Sequence, residues 1–125
     1  MKRKAPKFKL TMSHDFRTAL WVSMDLMAFV IPGEINTVAT EHSERISQKL
    51  STCDDVCDPV VVEFTVSDFL AAISGLEYAR LYMDGIHKHF LTPIPQRMQD
   101  ELHTYEGAIR AIRNDFLRRK REAGI

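Results

Sequence analysis

From Lys7 to Met12 cations and a threonine alternate with Phe8, Leu10 and Met12, a period of two that predicts a short half-buried strand over 7–12. Ser13 follows as a helix N-cap, with Asp15 in the first turn, where the helix dipole favours an anion. The next apolar residues, Phe16, Leu20, Trp21, Met24, Met27, Phe29 and Ile31, surround a helical axis. They predict a helix over about 14–31, stopped by Pro32 and Gly33 and placed at the centre of the fold. A strand over 21–30 is the competing reading. Ile35, Val38, Ala39, His42, Ile46 and Leu50 recur at steps of three and four, which predicts an amphipathic helix over 34–50.

Residues 51–59 read as an acidic loop, and 60–66 as a buried strand, because the run is β-branched and aromatic apart from Glu63 and Thr65. Ser67 and Asp68 repeat the cap chemistry. Phe69, Ile73, Leu76, Ala79 and Met83 then mark a helix over 67–84 that Asp84 and Gly85 end. Beyond Pro93 and Pro95, a helix over 95–121 carries Met98, Leu102, Tyr105, Ile109, Ile112 and Phe116 at alternating steps of four and three. That 3.5-residue repeat is too short for a coiled coil, so packing inside the chain's own bundle is favoured over a homodimer seam.

The pattern defines a mainly α (α+β) fold, about four helices with a small two-stranded sheet from 7–12 and 60–66. Leu10-Thr11-Met12-Ser13-His14-Asp15-Phe16 is echoed by Phe64-Thr65-Val66-Ser67-Asp68-Phe69, which raises the reading of a duplicated strand-helix-helix unit. Any strand running into a capped helix looks similar. If the repeat is real, the two strands should pair beside a pseudo-twofold axis. At 125 residues, with only five glycines and five prolines, 1–125 reads as a single compact helical domain.

Charge changes this picture more than any motif does. Lys2, Arg3, Lys4, Lys7 and Lys9 crowd residues 1–9 without an acid, and Arg118, Arg119, Lys120 and Arg121 crowd 118–125 against Glu122. Of 17 basic and 17 acidic residues, the body between Leu10 and Leu117 keeps 8 cations and 16 acids. Two basic arms on an acidic body are expected, and such a body repels nucleic acid and attracts basic surfaces.

Candidate chemistry is sparse. Cys53 and Cys57 with His87 and His89 are weak candidates for a zinc site, and no second cysteine pair exists; the expectation is no metal and no cofactor. Asp25, interrupting the central apolar helix, is the one carboxylate whose surroundings could raise its pKa, and a satisfied or rim-facing position is expected over a catalytic one. No nucleophile elbow, phosphate-binding loop or HExxH motif occurs, so an enzyme is not expected. The N-terminal cations lack the apolar run of a signal peptide, and the densest apolar stretch, 19–31, is too short to cross a bilayer. A cytoplasmic location without membrane association is therefore expected.

The reading that follows is a non-enzymatic interaction or regulatory protein. Its acidic body or last helix binds a protein partner, such as a basic nucleic-acid-handling protein that it inhibits or decoys, as accessory proteins of phages and mobile elements do. A nucleic-acid-binding protein using both basic termini is the alternative, and a small metal-dependent enzyme the second.

Overall fold

A computed structural model describes residues 7–30, 41, 44–46, 48, 50, 59–86 and 93–125. Strand β1 (Lys7–Met12) leads into helix α1 (His14–Val30). The described residues 41, 44–46, 48 and 50 are helical and are called α2. Strand β2 (Val60–Thr65) runs into α3 (Val66–Met83), and α4 (Gln96–Thr104) and α5 (Glu106–Ala123) complete the chain. The fold is mainly helical with a two-stranded antiparallel sheet.

The sheet register follows from side-chain alternation. Phe8 pairs with Phe64, Leu10 with Val62 and Met12 with Val60, which places the apolar set on one face. Lys9 opposite Glu63 and Thr11 opposite Val61 fall on the other face, and all four are exposed. β2 is therefore covered on one side only, not buried throughout; Val61 is 62 % exposed because a two-stranded sheet with helices on one face leaves the other to solvent. Lys9 and Glu63 lie 54 positions apart, the spacing that relates Leu10 to Phe64 and Thr11 to Thr65, so the antiparallel pair has the local twofold that a duplicated unit requires.

The caps depart from that symmetry. Ser13 caps α1, its Oγ accepting from the Phe16 N–H at 3.2 Å, as the sequence predicts. After β2 the cap is Thr65 rather than Ser67: Thr65 is extended and its Oγ1 accepts from the Asp68 N–H at 3.1 Å. Helix α3 thus begins at the last residue of the strand's predicted span, and Ser67 lies exposed in its first turn. At the other end Gly85, at φ 79°, lets its own N–H reach the Tyr82 carbonyl and the Ile86 N–H the Leu81 carbonyl, which terminates α3 where the sequence expects.

Helices α1 and α3 cross closely. A Cβ at Gly75 would stand 2.6 Å from Met24 Sδ and 3.4 Å from the Ser23 carbonyl oxygen, so glycine sets the approach. Around this crossing Leu20, Met24, Leu26, Phe69 and Leu76 are buried, with Ile46 and Leu50 of α2 added to the core. Phe116 of α5 closes the assembly, its ring 4.9 Å from Phe69 and 6.2 Å from Phe64, while Phe8 stacks on Phe69 at 4.1 Å.

The predicted helix over 95–121 is two helices. Tyr105, at φ −104° and ψ 15°, separates α4 from α5, although its N–H still reaches the Glu101 carbonyl and its own carbonyl accepts from Ile109. Just before the break the Thr104 hydroxyl bonds the Asp100 carbonyl at 2.8 Å, a side-chain bond that favours bending. The apolar register survives, with Leu102, Ile109, Ile112 and Phe116 all buried and Met98 and Tyr105 half-buried against them.

Candidate binding groove between α1 and α4

Helix α1 is central but not buried all round. Its outer face carries Trp21, Asp25 and Phe29 at successive steps of four, with Trp21 42 % and Phe29 38 % exposed. Sequence reading places both aromatics inside; the helix instead turns this line outward because the α3 and α5 contacts occupy its other faces. Helix α4 and the Tyr105 that caps it answer with a second line at the same spacing, Arg97, Glu101 and Tyr105. Thr18, Trp21, Val22 and Asp25 on one side and the α4 line on the other enclose an open groove of about 340 Å³. The groove continues past Asp25 to Pro95 and Met98.

Two carboxylates share this space. Partial burial, and then the Glu101 charge, push the Asp25 carboxyl above the usual carboxylate range. Glu101 accepts from Arg97 Nε at 3.3 Å along its own helix, an arginine whose side chain is 91 % exposed. Among the described residues Asp25 has no such cation. Of the satisfied and rim-facing positions expected for Asp25, the rim-facing one is observed, and among the described residues no imidazole lines the groove.

His103 stands elsewhere. The Gln99 amide nitrogen donates to the Ile94 carbonyl at 2.8 Å, which leaves Gln99 Oε1 to accept from the Tyr82 hydroxyl at 3.1 Å. The Tyr82 oxygen then accepts from His103 Nε2 at 3.3 Å. Burial foremost, and then Asp100, push the Tyr82 pKa up, so the phenol stays neutral and the cluster latches α3 to α4.

The cations of the last helix are largely committed. Arg113 pairs with Glu77, Arg80 bonds Glu77 at 3.2 Å and Asp84 at 3.0 Å, and Arg110 reaches Asp84 at 2.9 Å. Arg118 and Arg119 both hold Asp115, at 2.6 and 2.9 Å, and Arg118 also holds Glu122 at 3.1 Å. Residues 118–123 are thus the final turns of α5 rather than an arm beyond the fold; Lys120 and Arg121 sit where the helix dipole favours cations. Of the N-terminal cations, Lys9 is exposed on β1, Lys7 belongs to the same strand, and Lys2, Arg3 and Lys4 lie outside the described residues.

The other predicted residues fall as follows. Leu102, Ile109, Ile112 and Phe116, with half-buried Met98 and Tyr105, are spent inside the fold, so this seam is an intramolecular one. Cys53, Cys57, His87 and His89 lie outside the described residues. Among the described residues no group of three metal-binding side chains occurs, and no helix is long and apolar enough to cross a membrane. The groove was missed because its α4 line reads as ordinary intrahelical pairing. The signal that could have found it is an acid centred between two aromatics on one helical line, 21, 25 and 29. No protein family, curated protein or solved structure matches the chain.

Proposed function

We propose that this chain is a non-enzymatic protein-interaction protein that regulates a partner with a basic surface, docking it on the outer line of α1 and the adjoining groove. The observation that carries this reading is the Asp25 carboxylate, which pairs with no cation among the described residues and is flanked by exposed Trp21 and Phe29. An exposed tryptophan is the kind of side chain that anchors an interface, and the carboxylate beside it offers charge complementarity to a basic partner. The charge balance supports the same direction: Arg110, Arg113, Arg118 and Arg119 are matched by acids of the fold, which leaves less of α5 to grip phosphates. An inhibitor or decoy of a nucleic-acid-handling protein works in this way, offering acidic and aromatic groups to the surface that otherwise meets the nucleic acid.

The test is affinity capture from nuclease-treated native lysate with the wild type and with the double variant Trp21→Ala, Asp25→Arg. A protein retained by the wild type and lost by the variant supports the reading. Captured material that disappears on nuclease treatment contradicts it and favours nucleic-acid binding through Lys9, Lys120, Arg121 and the residues before the strand.

A further inference from the structure

The groove between α1 and α4 is built for one kind of side chain. Among the described residues its charged lining is Asp25, Glu101 and Arg97, two anions and one cation, so these groups accept a further positive charge without becoming cationic. Its apolar lining is Trp21, Val22 and Tyr105, with Met98 beyond Asp25. We infer that this groove binds an arginine side chain presented by a basic segment of the partner protein, its guanidinium lying against the Trp21 indole and its N–H groups donating to Asp25 and Glu101. This inference rests on the protein-binding reading above and names the group recognised.

Other occupants fit less well. Calcium or magnesium requires about six oxygen ligands, and among the described residues only two carboxylates line the groove. An apolar side chain would leave Asp25 unpaired beside Glu101 and desolvate both. A lysine ammonium satisfies the charge, but as a compact, strongly hydrated point it gains less from the indole face. The guanidinium is planar and weakly hydrated, stacks on indole, and can donate to two acceptors at once. Arg97, exposed at the rim and tied only to Glu101, can swing outward and yield its acceptor to the incoming group.

Trp21 is the only tryptophan in the chain, so its emission reports this groove and nothing else. The probe is an arginine-containing hexapeptide, titrated at ~0.15 M salt beside two matched peptides in which arginine is replaced by lysine or by uncharged, isosteric citrulline. Emission of Trp21 is expected to respond to the arginine peptide, with binding weakened about tenfold in Asp25→Asn and in Glu101→Gln and lost for the citrulline peptide. Arg97→Ala is expected to bind as tightly as the wild type or more tightly. Equal response to the arginine and citrulline peptides, or unchanged affinity in both carboxamide variants, overturns the assignment. Equal affinity for the lysine peptide overturns the guanidinium in favour of any cation. Circular dichroism confirms that the variants are folded. If the partner captured from lysate is insensitive to Asp25→Asn while remaining nuclease-resistant, the groove assignment fails and the protein-binding reading stands.

Discussion

Asp25 on α1 and Glu101 on α4 face one groove with like charges, and among the described residues only Glu101 is paired with a cation. Among the described residues the other charged or titratable groups lining the groove are Arg97 and Tyr105. Because the folded pKa of Asp25 is raised, its ionised form opposes folding, an unfavourable contribution present above the folded value and relieved as pH falls through it. Asp25→Asn should therefore stabilise the protein slightly at neutral pH, by no more than about 1 kcal/mol given its exposure. The advantage should vanish in acid. Denaturant unfolding of both proteins across pH 3 to 8 (about the range in which carboxylates titrate) checks this, and a stabilisation that grows on acidification would contradict it.

The ion pairs that join the end of α3 to α5, and those within α5, carry the opposite sign. Arg110 foremost, opposed by partial burial and aided by Arg80, holds Asp84 below the usual carboxylate range. At Asp115 burial acts upward, but Arg119 and Arg118 together outweigh it. Stability from these lowered groups is complete above the unfolded carboxylate pKa and is lost as pH falls through the folded values. Arg110→Ala should flatten the acid limb of the stability curve, measured by thermal melting at stepped pH, and an unchanged limb would show that the pair contributes nothing.

Tyr82→Phe removes the hydroxyl that joins Gln99 and His103 and leaves the Gln99 carbonyl oxygen without its donor. A loss of about 1 kcal/mol is expected, the usual cost of one such bond. Chemical denaturation provides the value. No change in midpoint would mean that water replaces the phenol.

Leu102→Asp should unfold the domain, because it places a charge without a partner in a fully buried position, at a cost of several kcal/mol. Trp21→Ala, on the outer line of α1, should leave the melting temperature within a few degrees of the wild type. Paired circular dichroism melts compare the two, and a collapse caused by Trp21→Ala would mean that its indole holds the fold together rather than serving a partner.

Much of this architecture can be read from local pattern. The alternation from Lys7 to Met12, the Ser13 cap, the β-branched run at 60–65 and the Gly85 stop all act over a few residues, and each appears where physical chemistry puts it. What is illegible depends on partners distant in sequence. Trp21 and Phe29 look internal because α1 is apolar all round, and only the placement of α3 and α5 decides which line of it stays open. The break at Tyr105 is invisible because Leu102 and Ile109 keep their register across it. The groove itself joins residues of α1 to residues of α4 more than 70 positions later, and no single-helix pattern encodes that meeting.

The most direct measurement of the central claim is nuclear magnetic resonance mapping of the ¹⁵N-labelled chain with the arginine hexapeptide. The account predicts amide and indole shifts concentrated at Thr18, Trp21, Asp25, Glu101 and Tyr105. Shifts confined to the last turns of α5, around Arg118 to Arg121, or spread evenly over the surface, would contradict it.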